Sequence, residues 1–123
     1  MKHSPKFLEL CDSAKSRIEE TNSETVKQWL DRGEDFTLID VREESEWHAG
    51  HLPKAIHLSK GMIEVKIEKI VPDFDRKMIL YCGGGFRSAL AADNLKKMGY
   101  KNVISMDGGF RAWQSAGFPI END

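Results

Sequence analysis

The most informative stretch of the sequence spans residues 77–88 and reads Lys77-Met78-Ile79-Leu80-Tyr81-Cys82-Gly83-Gly84-Gly85-Phe86-Arg87-Ser88. Its first half is a short apolar run that is typical of a buried strand. After the glycines, residues 86–98 carry apolar side chains at helical spacing. The stretch therefore predicts a strand that runs into Cys82, a glycine-rich turn and a helix that begins near Phe86.

The same alternation of short apolar runs and helical patterns continues on both sides of this stretch. Further strands are predicted at 36–41, 55–58 and 103–106, and further helices at 5–18, 21–33, 43–48, 60–70 and after Gly109. Part of segment 60–70 also alternates like a strand, but neighbouring parallel strands need crossovers, which favours a helix there. The pattern predicts an α/β fold with a central, mostly parallel sheet of four to five strands and helices on both faces.

Two local signals place the helices more closely. Thr21 and Glu24 fit a capping box at the start of the second helix. Asp93 and Lys97 are four residues apart, which fits an ion pair on the outer face of the helix after the glycines.

The length of 123 residues predicts one domain. We expect residues 1–17 to form a helical N-terminal extension that packs on a domain spanning residues 18–123. Asp40 and Cys82 both come at the ends of predicted strands, and ligands of parallel sheets bind beyond the carboxyl ends of the strands. Both residues therefore come at positions where parallel sheets bind ligands, and capping of the next helix is an equally good interpretation of Asp40.

Composition excludes several classes of protein. The 18 Lys and Arg against 20 Asp and Glu give a net charge of −2, whereas a nucleic-acid binder is expected to carry a basic surplus. No apolar stretch is long enough to cross a bilayer. Two cysteines, Cys11 and Cys82, are too few for a disulfide scaffold, and the first residues lack the apolar region of a secretory signal. We therefore expect a cytoplasmic protein without nucleic-acid or membrane partners.

The glycine turn carries the chemical signal. Glycines at 83–85 remove side chains that would keep a ligand from the backbone, so the N–H groups can form an anion-binding nest at the start of a helix. Such donors favour the thiolate form of Cys82, which would then be a nucleophile toward an anionic substrate, with Arg87 as a further cation. The alternative is a tight turn beside a buried, inert cysteine.

Four motifs in the same order resemble a rhodanese domain. They are Leu38-Ile39-Asp40-Val41-Arg42-Glu43, Glu46-Trp47-His48-Ala49-Gly50-His51-Leu52-Pro53-Lys54-Ala55, Tyr81-Cys82-Gly83-Gly84-Gly85-Phe86-Arg87-Ser88-Ala89 and Met106-Asp107-Gly108-Gly109-Phe110-Arg111-Ala112-Trp113. The resemblance runs from about residue 18 to residue 120 and leaves only the first helix outside. It implies the three-layer rhodanese-like fold and the activity of a single-domain sulfurtransferase.

In that family a cysteine takes a sulfane sulfur from a donor such as thiosulfate, holds it as a persulfide and passes it to cyanide or a thiol. The resemblance implies that Cys82 is this nucleophile and that no metal or organic cofactor is required. The cradle for the persulfide would be the backbone of Gly83, Gly84, Gly85, Phe86 and Arg87. Asp40, Arg42 and Ser88 would support the loop. We expect a monomer or a weak homodimer.

The sequence is also compatible with two other functions. The chain is alternatively a sulfur-relay or interaction module that does not turn over a free donor. Phosphatase or arsenate reductase chemistry is the third reading, but the phosphatases that share this fold have five residues between Cys and Arg, and here only four intervene. Because the loop begins with glycines rather than basic residues, we expect thiosulfate to be a weak substrate.

The remaining candidates have simpler interpretations. Cys11 lies on the apolar stripe of the first helix, which favours a core residue over a resolving thiol. His48 and His51 have ligand-like spacing, but Gly50 interrupts any helix there, and we predict no metal site. Lys54 stands where the family usually has glycine, which leaves the conformation of the local turn open but not the chemistry.

Overall fold

A computed structural model describes residues 3–122 of the chain. The strands are β1 (Glu19–Thr21), β2 (Thr37–Asp40), β3 (Ile56–His57), β4 (Met78–Tyr81) and β5 (Val103–Met106). The helices are α1 (Pro5–Lys15), α2 (Ser23–Asp31), α3 (Glu44–Ala49), α4 (Ile63–Ile70), α5 (Phe86–Lys97) and α6 (Gly109–Ser115). Segment 60–70 is therefore helical rather than extended.

The five strands form one sheet in the order β1-β5-β4-β2-β3, and every pairing is parallel. The predicted α/β fold is confirmed. β1 was not predicted, and it replaces the predicted start of the second helix at Thr21. Its residues Glu-Glu-Thr give no apolar pattern because β1 lies at the sheet edge, where it pairs only with β5 and its glutamates face solvent. Helix α2 is instead capped by Asn22, whose side chain accepts the Thr25 N–H.

The central strand β4 separates two apolar cores. Met78, Leu80 and Cys82 face the core under α4 and α5, whereas Ile79 and Tyr81 face the core under α2 and α6. All four β4 residues are buried because helices cover both faces of the sheet. This burial fixes the position of Cys82, which follows β4 directly.

Helix α1 packs on α5 and is fixed there by buried and charged contacts. Cys11 and Ala14 are buried at this interface. Just beyond the helix end, Arg17 Nε and Nη2 donate to the Asp93 carboxylate at 3.0 and 2.7 Å. The predicted Asp93–Lys97 pair is present at 3.3 Å, but the prediction of an outer face was wrong. Asp93 is buried because it also holds Arg17.

Two further features complete the fold. Lys54 adopts a φ of 66°, so a lysine occupies the left-handed conformation that favours glycine. Within residues 3–122, every helix is too short or too polar to traverse a lipid bilayer.

The Arg17–Asp93 contact predicts a pH-dependent contribution to stability. Hydrogen bonds from Arg17 hold the pKa of Asp93 below its ordinary value of 3.8, so the ion pair stabilises the fold above that pH and is lost as the pH falls through the lower folded-state pKa. We expect Asp93→Asn to lower the urea midpoint at pH 7 and to have little effect at pH values where the wild-type carboxyl is protonated. Asp12→Asn, on the exposed face of α1, is the control. An equal loss at both pH values would contradict this.

Candidate active site

The sulfur of Cys82 lies at the centre of the glycine turn. Its side chain is 1% exposed, and Gly85 donates its N–H to Sγ at 3.1 Å. Gly85 makes this contact with a φ of 106°, and a Cβ there would lie 2.8 Å from Asp107 Oδ1. Glycine is therefore required at this position for both conformation and space. Ser88 Oγ lies 3.5 Å from the sulfur and 2.8 Å from Ser105 Oγ.

Helix α6 holds the turn from outside. Phe110 and Arg111 donate their N–H groups to the carbonyls of Cys82 and Gly83, at 2.7 and 3.0 Å. In a trans peptide the C=O and the following N–H point in opposite directions, so the N–H groups of the residues that follow these carbonyls point away from α6. Gly109 permits this approach because a Cβ on it would overlap the Cys82 carbonyl. The second glycine-rich motif therefore shapes the first.

Arg87 forms an ion pair that was not predicted from the sequence. Its Nη1 and Nη2 atoms donate to the two carboxylate oxygens of Glu46, at 2.8 and 3.1 Å. These bonds are the largest cause that raises the pKa of Arg87, and they hold the pKa of Glu46 below its usual range. Glu46 lies 41 residues away along the chain. Its position in the motif before Gly50 was the only signal.

Asp40 and Arg42 lie beside the turn and act on it through the neighbouring side chains of Tyr81 and Phe110. The Asp40 carboxylate accepts from Arg42 Nη2 at 2.8 Å and from the Tyr81 hydroxyl at 2.7 Å. The Arg42 guanidinium lies 4.2 Å from the centre of the Phe110 ring. Burial, followed by the charge of Asp40, raises the pKa of Tyr81, which keeps its hydroxyl protonated as a donor. These contacts fix Tyr81, the residue before Cys82, and Phe110, the residue after Gly109.

A cleft of about 800 Å³ opens above the sulfur. Its floor is formed by the glycine turn, and its walls include Glu46, Arg87 and Arg111 together with His3, Ser4 and Phe7 of the N-terminal segment. The extension was expected only to pack on the domain, and its place in the cleft was not predicted. No sequence signal could have placed it there because its partners lie about 80 residues away.

The other residues that the sequence singled out do not line the cleft. Cys11 is fully buried, with its thiol 3.9 Å from the Phe86 carbonyl, and burial raises its pKa. His51 stacks on Trp47, with 3.5 Å between ring centroids, and His48 lies 3.4 Å from Glu44. Among residues 3–122, no three His, Cys, Asp or Glu side chains are grouped so that they could hold a metal ion.

Two curated relatives match most of the chain. A sulfurtransferase of Allochromatium vinosum is 35% identical over 103 residues, which cover 84% of this chain and 94% of the relative. The thiosulfate sulfurtransferase GlpE of Pseudoalteromonas translucida is 39% identical over 84 residues, which cover 68% of this chain and 77% of the relative.

A solved structure also matches α1. This protein of unknown function from Rhodopseudomonas palustris, RPA3614, described as a possible tyrosine phosphatase, is 33% identical with a TM-score of 0.88, and the match covers 98% of this chain and 99% of that one. The family model described as rhodanese-like domain matches residues 22–116. The chain therefore belongs to the rhodanese-like domain family.

Proposed function

We propose that this protein is a sulfurtransferase that carries a sulfane sulfur on Cys82 as a persulfide. The main support for the proposal is the position of the Cys82 sulfur. It lies in a turn whose N–H groups point away from α6, and the Gly85 N–H donates to the sulfur itself. The named activities of the two curated relatives support the same reaction class. Thiosulfate is the proposed donor, and cyanide in the assay or a thiol in the cell is the acceptor.

Two displacements complete the cycle. The Cys82 thiolate attacks the outer sulfur of thiosulfate, a new S–S bond forms, and sulfite leaves with the electron pair of the broken S–S bond. The acceptor then attacks the outer sulfur of the persulfide and releases the Cys82 thiolate. Electrons balance within each step, so the cycle requires no metal or organic cofactor. The backbone donors of Gly83, Gly84, Gly85, Phe86 and Arg87 would stabilise the anionic persulfide.

The supporting residues act on the shape of the turn. Ser88 can donate its hydroxyl to the Cys82 thiolate while Ser105 fixes it. Asp40 and Arg42 are positioning residues because they hold Tyr81 and Phe110 rather than the sulfur. We infer that the cycle runs in the cytoplasm, where thiols are available as acceptors, and that the protein acts as a monomer or a weak homodimer.

Phosphatase chemistry is the second candidate, because the structural relative from Rhodopseudomonas palustris is described in those terms. Two features favour sulfur. Only four residues separate Cys82 from Arg87, so the ring suits a single sulfur atom better than a tetrahedral oxyanion. Arg87 is also paired with Glu46, so it is less available to bind the oxygens of a phosphate.

Intact mass spectrometry tests the persulfide. Incubation with thiosulfate is expected to add one sulfur atom to the wild type and to Cys11→Ala, but none to Cys82→Ser. Thiocyanate formation from thiosulfate and cyanide should vanish in Cys82→Ser alone. Persisting turnover in that variant would remove Cys82 from the mechanism. Failure of thiosulfate to load the wild type, combined with loading by a persulfidated partner protein, would favour the sulfur-relay module.

The phosphatase candidate has its own assay. We expect no Cys82-dependent hydrolysis of p-nitrophenyl phosphate, because the short ring and the Glu46–Arg87 pair disfavour binding of a phosphate dianion. Release of p-nitrophenol is followed for the wild type and for Cys82→Ser at equal concentration. Turnover that is present in the wild type and absent in the variant would establish phosphatase chemistry.

Glu46 is expected to weaken the binding of thiosulfate by neutralising Arg87. Glu46→Gln should therefore lower the KM for thiosulfate by about two- to tenfold, an effect that salt screens. Because the pKa of Glu46 is lowered, the wild-type pair stays charged at neutral pH, where the assay is run. Glu44→Gln, on the same helix but outside the cleft, is the matched control. A higher KM in Glu46→Gln would show that the ion pair instead supports the turn.

A further inference from the structure

The cleft above Cys82 is larger than thiosulfate requires. Thiosulfate is a small inorganic dianion, whereas pockets of about 300–1,000 Å³ are typical of sites that enclose organic ligands. The cleft, at about 800 Å³, lies well inside this range. Its size therefore points to a substrate with a carbon body.

One wall of the cleft is built from three aromatic rings, which we call the aromatic shelf: His3, Phe7 and Phe86. The ring centroids of His3 and Phe86 are 4.6 Å apart, those of His3 and Phe7 are 5.1 Å apart, and those of Phe7 and Phe86 are 6.2 Å apart. These separations are typical of packed aromatic side chains. All three residues line the cleft. An apolar group that enters beside Cys82 would meet this shelf.

Phe86, the shelf ring that belongs to the body of the domain, is held in place by contacts from α1. Cys11 packs its thiol against the Phe86 carbonyl, and Lys15 Nζ lies 5.7 Å from the centre of the Phe86 ring. Lys15 is itself anchored to Glu20 at 2.7 Å and to Asp107 at 3.1 Å. Contacts from α1 therefore preorganise the Phe86 ring, which lowers the entropy cost of binding against it.

The two arginines of the cleft differ in their ion pairing. Arg87 is paired with Glu46, whereas Arg111 makes no ion pair with any residue between His3 and Asn122. A Cβ on Gly84 would lie 3.3 Å from Arg111 Nη1, which places this guanidinium directly over the turn. Arg111 is thus the cation of the cleft that has no ion pair among these residues, and it lies over the turn beside Arg87, whose Nη2 would be 3.1 Å from a Cβ on Gly83.

We propose that the N-terminal segment, α1 together with His3 just before it, converts the cleft into a site for organic sulfane-sulfur donors that carry an apolar body next to an anionic group. The aromatic shelf contacts the carbon body, and Arg111 binds the anion. The proposal rests on the sulfur transfer proposed above and names its substrate class. Organic thiosulfonates are the simplest compounds with both features: Cys82 takes the outer sulfur, the S–S bond of the donor breaks, and a sulfinate leaves with its electron pair.

The test compares benzenethiosulfonate with methanethiosulfonate, two monoanions that differ in their carbon body. The measured quantity is the ratio of their kcat/KM values for thiocyanate formation. Intrinsic reactivity cancels when this ratio is compared between the wild type and a variant. We expect Phe7→Ala and His3→Ala each to lower the ratio about two- to tenfold, because each removes one ring of the shelf. Leu10→Ala, on the exposed face of α1, should leave the ratio unchanged.

Arg111 is tested separately. Arg111→Gln should lower kcat/KM for both thiosulfonates by a similar factor and leave their ratio unchanged, because both carry the same anionic group. Binding of benzenesulfinate, which has no sulfur to transfer, should weaken in Phe7→Ala and in Arg111→Gln when measured by calorimetry. This binding readout does not depend on turnover, and circular dichroism verifies that each variant is folded.

Specific results would overturn the proposal. An unchanged ratio in both Phe7→Ala and His3→Ala, or an equal change in Leu10→Ala, would rule out the shelf as a binding surface. Unchanged kcat/KM in Arg111→Gln would rule out the anion site. These outcomes differ from failure of the proposed function, in which neither thiosulfate nor either thiosulfonate would load sulfur onto Cys82 of the wild type.

Discussion

The site depends on two hydrogen bonds that helix α6 donates to the glycine turn. Because the N–H groups of Phe110 and Arg111 bind the carbonyls of Cys82 and Gly83, the peptide groups of the turn are fixed with their carbonyls toward α6. Gly85 then turns its own N–H onto the sulfur. If Cys82 is the nucleophile, as proposed, fixed backbone dipoles around it reduce the reorganisation that the reaction requires.

Around this turn, most of the charged side chains are paired with one another. Asp40 and Arg42 neutralise each other in the interior, where an unpaired charge would be costly. Arg87 is paired with Glu46 at the edge of the cleft. Positive and negative side chains are therefore nearly balanced around the turn, as they are in the whole chain. What remains to attract an anion is local: the backbone donors of the turn and the guanidinium of Arg111.

The N-terminal segment adds a wall to the cleft above Cys82. The family model matches residues 22–116, so the shelf residues His3 and Phe7 lie outside the matched residues, whereas their partner Phe86 lies within them, directly after the glycines. The extension is joined to α5 by Arg17 and Asp93 and covers one side of the cleft. The glycine turn is thereby combined with a wall that the N-terminal segment supplies.

The sequence by itself determined the features that depend on local pattern. Apolar runs and helical spacing predicted four of the five strands and all six helices, and the glycines singled out Cys82. The edge strand β1 was not predicted, because exposed positions at the edge of a sheet do not need apolar residues. Only the tertiary structure decided that Arg87 binds Glu46, that Arg111 is left without an ion pair within residues 3–122, and that His3 and Phe7 reach the cleft. These contacts join residues far apart in the chain, and packing rather than local propensity decides which side chains meet.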